Sequence, residues 1–413
     1  MAIGLPRRVA ATLRSPALAP VALALLLHGL SQGMTVPLLA LWIVRAYGRG
    51  PGAIAAYFAC TAAGGLALNP LLGRLSDRLS RRRETAALAG LLQTAGLATL
   101  ALHPSFGIVL AAAGLLLAAQ VQPHLFALVN DHIGQGSPEF PRAFTVATVR
   151  GAISAAWVIG APLGGLLAGR GMGLTFGVAA VLSAASIAIV LLRCREGPFA
   201  APRRPLLAAP GPPPRWGQLG LFGLGALLAV AGNTAKMQAV PLYLQRLGVP
   251  MPGIGLAYSW MALAELVALP PWGALADRIP RRRAVALGLL GGTAFFAAIA
   301  LAPGTLAVVV AFPAMALLVA GLYGVGIGYA QDLDPRHVGL AGGVFFAAQG
   351  LGQVAGGPLV AFGQSRLGLP HAFLVPALAI LAGALAVSLS HPAPAAAVAA
   401  APGQDTRRLA ARG

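Results

Sequence analysis

Twelve apolar runs follow one another along this chain, each long enough to cross a bilayer, and short segments rich in Arg, Pro and Gly separate them. They fall at approximately 17–44, 52–73, 84–103, 105–130, 143–168, 172–192, 217–244, 252–276, 284–302, 305–331, 339–363 and 371–390. A spanning helix needs about 20 apolar residues, so twelve spans use about 240. The 413-residue chain has room for them with loops to spare. Only 9% of the residues are charged, against roughly 25% in a soluble domain, while 58% are hydrophobic. That balance excludes a soluble enzyme, a disordered chain and a nucleic-acid binder. The first run follows Arg7, Arg8 and Arg14 but continues through Pro37 to Trp42 without a cleavage site, so it reads as a span and not a signal peptide.

The net charge of +19 reports topology. With the N-terminus placed inside, the inside segments carry 22 basic residues and the outside loops carry 5. The positive-inside rule then puts both termini in the cytoplasm, as an even number of spans requires. Attraction to anionic lipid is a by-product. The two cysteines, Cys60 in an apolar run and Cys194 in a basic loop, form no disulfide framework.

Residues 194–216 hold seven prolines and several arginines and read as an extended cytoplasmic linker. The linker separates a six-helix bundle over 1–193 from a second over 217–391, and 392–413 read as a disordered tail. The halves repeat. Gly73, Leu75, Asp77, Arg78, Arg81, Arg82 and Arg83 follow span 2, and Gly273, Leu275, Asp277, Arg278, Arg281, Arg282 and Arg283 follow span 8. Thr35-Val36-Pro37-Leu38 in span 1 matches Ala239-Val240-Pro241-Leu242 in span 7. Asn130-Asp131 ends span 4 and Gln331-Asp332 ends span 10. Two parallel six-helix repeats about an axis along the membrane normal are a transporter architecture.

The doubled loop G-x-L-x-D-R-x-x-R-R-R resembles the signature of the major facilitator superfamily. Ser80 and Pro280 stand where that family usually has Gly. The resemblance implies an all-α membrane protein of twelve transmembrane helices in two pseudo-symmetric bundles. A narrower resemblance, to the bacterial sugar efflux transporters, rests on five stretches. They are Pro123 to Leu128, Arg150 with Ala156 to Gly160, Asn233-Thr234 with Pro241-Leu242, Glu265, and Gln331 to Leu333. Ala239 stands where those proteins tend to have an acid, and Lys236 is unfamiliar there. The resemblance implies proton-coupled efflux of a sugar or small glycoside by alternating access, in a bacterial inner membrane, by a monomer. It also implies a gate at the cytoplasmic mouth. Asp77 would face the start of span 11, and Arg81 would pair with Asp131. Asp277, Arg281 and Asp332 would repeat that set, with Arg78 and Arg278 beside them. These bonds would hold the outward-open state.

Glu265 lies near the middle of span 8, where an acid costs at least roughly 2.5–3.5 kcal/mol to insert. Its counterpart in the first half is near Gly65, so the repeat does not require it. It is the candidate proton carrier, or else the structural partner of Lys236 across the hairpin of spans 7 and 8. Arg150, in span 5, either snorkels to the interface or faces the same cavity. Candidate substrate contacts are His28 and Gln32 in span 1, Gln120, Gln122 and His124 in span 4, Trp157 in span 5, Asn233 and Gln238 in span 7, and Gln349 and Gln353 in span 11. Amides pair donors with acceptors as sugar hydroxyls require, and Trp157 or Trp260 offers an aromatic platform. No metal-ligand spacing, phosphate loop or dinucleotide fingerprint occurs, so the energy source is expected to be a proton gradient with no cofactor. Other readings are a drug or anionic-metabolite exporter, favoured by Lys236 and Arg150, and a non-transporting receptor or scaffold.

Overall fold

The computed structural model describes residues 5–79, 81–133, 142–196, 213–335 and 337–392. Most of the linker and nearly all of the C-terminal tail lie outside the described residues, in which every regular element is a helix and no strand occurs. A short helix, α1 (Leu5–Arg14), precedes the first span. That span is α2 (Ala19–Thr35), a 3-10 turn at Val36–Leu38, and α3 (Leu39–Tyr47). Pro37 lacks an N–H and interrupts the ladder there. α4 (Pro51–Leu79) and α5 (Arg82–Ala101) follow. The fourth span is α6 (Phe106–Ala112), a π-helical turn at Ala113–Leu117, and α7 (Gln122–Ile133). α8 (Arg142–Arg170) and α9 (Met172–Arg193) complete the first half.

The second half repeats this order. α10 (Trp216–Arg246), α11 (Met251–Arg278) and α12 (Arg281–Leu301) lead to α13 (Thr305–Val319), a π-helical turn at Ala320–Val325, and α14 (Gly326–Leu333). α15 (Val338–Leu367) and α16 (Leu374–Leu389) close the chain. Eleven spans are long and apolar enough to cross a membrane by length and hydropathy. The remaining one, α5, carries Arg82, Arg83 and Glu84 in its first turn, which dilutes its hydropathy, and it packs along α9 in the same manner. The twelve-helix architecture is therefore present, with its π turns at matching places in the two halves.

Each half has its own apolar core. In the second half, Tyr258, Phe295, Phe312, Phe296 and Phe373 form a continuous series of ring contacts. In the first, Trp42 meets Tyr47, His103 and Phe176 edge-on. Trp42 is thus a buried core residue.

The halves meet along α8 with α11 and along α4 with α15. Both seams are tight at the end away from the Arg-rich loops. A Cβ on Gly255 would lie 2.3 Å from the Ala161 carbonyl oxygen, and one on Gly357 would lie 3.0 Å from Ala55 Cα. Only glycine allows backbones so close. Leu38, Leu41 and Ala161 of the first half join the second half's core there. Nearby, the Gln245 amide oxygen accepts from Arg45 Nη2 at 2.7 Å and Nε at 3.0 Å, in the orientation that satisfies both side chains. Near the Arg-rich end, Gly73, Gly273 and Gly342 have nothing within 4 Å of where a Cβ would sit.

Candidate functional site

At mid-height, four helices bring ionisable groups together where the halves face each other. Glu265 of α11 accepts a hydrogen bond from Ser154 Oγ of α8 at 3.3 Å. It is half-buried and within electrostatic reach of both Arg150 and Lys236. Arg150 Nη1, one turn before Ser154, donates to the Tyr323 carbonyl at 3.3 Å. Tyr323 lies in the second π turn, where the i→i+5 pattern leaves a carbonyl outside the regular ladder, and such bulges recur at functional sites. The Asn233 side chain lies beside the Tyr323 hydroxyl, and its Oδ1 is buried with no hydrogen-bond partner among the described residues. Arg150 thus faces the junction of the halves and does not snorkel to the membrane surface.

Lys236 of α10 is fully buried. Its Nζ donates to Met261 Sδ at 3.2 Å, and no ion pair with Glu265 occurs among the described residues. The hairpin brings the two residues near, as its short turn requires, but α11 presents Met261 to the ammonium, one turn before Glu265. Tyr258 anchors the same region by donating to the Lys236 carbonyl at 3.0 Å. The cluster holds two cations and one carboxyl, on helices from both halves.

The other candidates divide. Gln122 Nε2 donates to Gln32 Oε1 at 3.0 Å, joining spans 4 and 1. His28 is buried with Nε2 unpartnered among the described residues, and His124 is buried nearby in sequence to Gln122. Gln120 is exposed, and its backbone N–H donates to Asn69 Oδ1 at 2.9 Å. Gln349 and Gln353 are half-buried on α15, beside glycines that pack on α4 and α10. Gln238 stands apart from the cluster. It lines a void of about 10 Å³ with Ile54, Leu242 and Gly357, in the tight seam. Trp157 packs against the core of the opposite half, and Trp260 is exposed with Nε1 donating to the Val309 carbonyl at 3.1 Å.

The loop charges pair in a shifted register. Asp131 pairs with Arg82, not with Arg81, whose Nη1 instead meets Glu84 at 3.2 Å. In the second half Arg281 does meet Asp332, at 3.0 and 3.1 Å. The cause is the helix start. Arg82 is the first residue of α5, with Arg81 at its N-cap, and Arg281 is the first of α12, with Pro280 at its N-cap, so α12 starts one residue earlier in the repeat. Equivalence follows helix position and not loop numbering. Both pairs lie within one half and are formed while the halves join at the other end. Arg278 is exposed, and the side chains of Asp77, Arg78 and Asp277 lie outside the described residues.

Three polar residues of the site escape the sequence reading. Ser154 is a small hydroxyl in a Gly/Ala-rich helix, and Tyr323 uses its backbone, so neither carries a charge signal. Asn69 is an amide inside an apolar run, and it was detectable. It accepts from Gln120 N–H and donates to the Ala118 carbonyl at 3.4 Å, repairing the break after the first π turn.

Comparison with known proteins places these features in context. A family profile described as Major Facilitator Superfamily matches residues 21–232 and again 222–411. The sugar efflux transporter A of Dickeya chrysanthemi is 27% identical over 371 residues, covering 87% of this chain and 91% of that one. The sugar efflux transporter A of Escherichia coli is 24% identical, covering 80% and 84%. Among solved structures, a variant of the nucleoside transporter NupG superposes with a TM-score of 0.74 at 12% identity, covering 89% of this chain and 97% of that one. An autoinhibited peptide transporter of the POT family gives 0.61 at 15% identity, covering 93% and 96%. At these identities the structural likeness concerns the fold.

Proposed function

Because the chain belongs to the Major Facilitator Superfamily and is a multi-pass membrane transporter, we propose that it exports sugars or small glycosides, driven by inward proton flow through alternating access. The observation that carries the coupling is the position of Glu265. Its carboxyl is the acid of the mid-height cluster, held by a hydroxyl of the opposite half. A proton on that carboxyl changes both its bond to Ser154 and its attraction to Arg150 and Lys236. Protonation is therefore linked to how the halves sit against each other. The names of the relatives support the sugar class, and Asn233, Gln32 and Gln122 supply amides that could meet hydroxyls.

The excess of arginine on one set of loops supports an inner-membrane orientation with both termini in the cytoplasm. The tight end then faces outward, as in one of the two states that alternating access requires. Both bundles reside in a single chain, which supports action as a monomer. No cofactor enters this reading.

A second reading has one specific support. Two cations share the cluster with one carboxyl, a balance that suits an anionic metabolite. The deciding experiment follows proton release with a dye in acid-loaded everted vesicles challenged with lactose, glucosides, anionic metabolites and cationic dyes. A sugar response lost in Glu265→Gln supports proton–sugar antiport. A response confined to anions replaces the sugar assignment with the second reading, and a response that survives Glu265→Gln removes the proton role of Glu265.

A further inference from the structure

Arg281 is occupied by Asp332, but the next two arginines of α12 look elsewhere. Arg282 Nη1 donates to the Ser390 carbonyl at 3.3 Å, tying the start of α12 to the chain leaving α16. The Arg283 side chain is exposed and has no partner among the described residues. With Ala286, Leu287, Leu290 and Ser388, these two arginines line a groove of about 340 Å³ between α12 and α16. That lies within the roughly 300–1,000 Å³ of ligand pockets.

The groove is graded. Arg283, Leu287 and Leu290 recur at helical spacing, so one stripe of α12 carries a guanidinium at its end and leucines below it. Leu287 and Leu290 are 46% and 41% exposed, and Leu385 and Leu389 beside Ser388 are 58% and 62% exposed. The inward faces of these helices are different surfaces, where Gly288 and Gly292 pack on α13 and its π turn. The groove therefore opens to the bilayer and not to the site of Glu265. It occupies the first turns of one span and the last turn of another, at the depth where headgroups meet acyl chains.

We propose that this groove binds an anionic glycerophospholipid, with the phosphate between Arg282 and Arg283 and an acyl chain along Leu287 and Leu290. Guanidinium forks match phosphate oxygens in pairs, and no acid lines the groove to receive the cationic part of a zwitterionic headgroup. A basic recess between membrane helices is a lipid-recognition arrangement in general.

The test is native mass spectrometry of the full-length protein released from nanodiscs of phosphatidylglycerol or phosphatidylcholine, titrated with either lipid. The wild type retains one phosphatidylglycerol more tightly than any phosphatidylcholine, and Arg283→Ala weakens that adduct about fivefold. Arg195→Ala removes an equal, exposed charge from the other half and leaves the adduct unchanged. Equal retention of the two lipids, or an equal loss in both variants, overturns the proposal in favour of diffuse attraction. Displacement of the adduct by inorganic phosphate overturns it too, since a free anion site needs no acyl contact.

Discussion

Ser154 Oγ of α8 donates to Glu265 Oε1 of α11 at 3.3 Å, so the carboxyl of one half is held by a hydroxyl of the other. The contact exists because small residues let α8 and α11 run close together, and it sits beside Arg150 and Lys236. Glu265→Gln keeps the shape and a hydrogen-bonding oxygen but removes the exchangeable proton. Substrate-driven proton movement should fall to background while substrate binding persists. Ser154→Ala removes one hydrogen bond of about 1 kcal/mol, and coupled transport should fall about fivefold. Vesicle proton flux and equilibrium binding of the same preparations measure both.

Lys236 poses a separate test. A fully buried ammonium whose hydrogen bond goes to a thioether gives little back for its desolvation. Lys236→Met fills a similar volume without the charge. Its thermal midpoint in detergent should equal or exceed that of the wild type, while transport should fall at least about tenfold if the ammonium serves substrate or coupling. A stable variant with normal transport would reduce Lys236 to a packing residue.

The fold was legible because hydropathy acts over whole segments. The spans, the repeat and the doubled loop survive an error of a few residues at any boundary. Glu265, Lys236 and Arg150 were legible for a related reason, since a charge within an apolar run is rare. What the sequence could not convey is register. Arg82 takes the place of Arg81 at Asp131 because α5 starts at Arg82, whereas α12 starts at Arg281, one residue earlier in the repeat. Met261 replaces Glu265 at Lys236 because which side of α11 faces α10 depends on packing over its whole length. Gln238 reads as a pathway amide yet lies in the seam, two residues beyond Lys236 and on another face of the helix.

Gly255 tests the closure itself. A Cβ there would lie 2.3 Å from the Ala161 carbonyl oxygen, across the two halves, whereas one on Gly177 would meet nothing within 4 Å. Overpacking of this kind costs about 1–3 kcal/mol in the state where the contact is made. In a two-state transporter that cost shifts the equilibrium about 5- to 150-fold toward the state with the seam open. Gly255→Ala should increase spin-label distances across α8 and α11 at that end, and Gly177→Ala should leave them unchanged. Unaltered distances in Gly255→Ala would show that the seam yields without opening.

The two loop pairs should differ in weight. Arg82 and Asp131 are nearly buried, with side chains 13% and 9% exposed, while Arg281 and Asp332 are 48% and 41% exposed. Losing one partner of a nearly buried carboxylate costs clearly more than losing one from an exposed pair, which is worth about 0–1 kcal/mol. Arg82→Ala should therefore lower the thermal midpoint clearly and Arg281→Ala barely. Equal effects would mean that water reaches Asp131 as freely as Asp332.

Asp334 gives a pH prediction outside the spans. Burial pushes its carboxyl up, but hydrogen bonds from the Arg215 backbone N–H and from His337 outweigh that effect and leave it below the usual carboxylate range. The Arg215 bond is 3.0 Å long, and Arg215 Nη1 also donates to the carbonyls of Leu333 and His391 at 2.8 and 3.2 Å. This end of the linker is thus fastened to the α14–α15 loop by an ionised acid. A carboxyl held low in the folded state contributes stability that is complete above its unfolded value near 3.9. The contribution is lost as pH falls through the lower folded value. Hydrogen exchange of the Arg215–Gln218 amides should therefore be as well protected at pH 5 as at pH 7 once corrected for intrinsic rate, and protection should fail only below about pH 4. Asp334→Asn should show the loss already at pH 7, and protection that declines between pH 7 and 5 would show that the ionised Asp334 is not what fastens the linker.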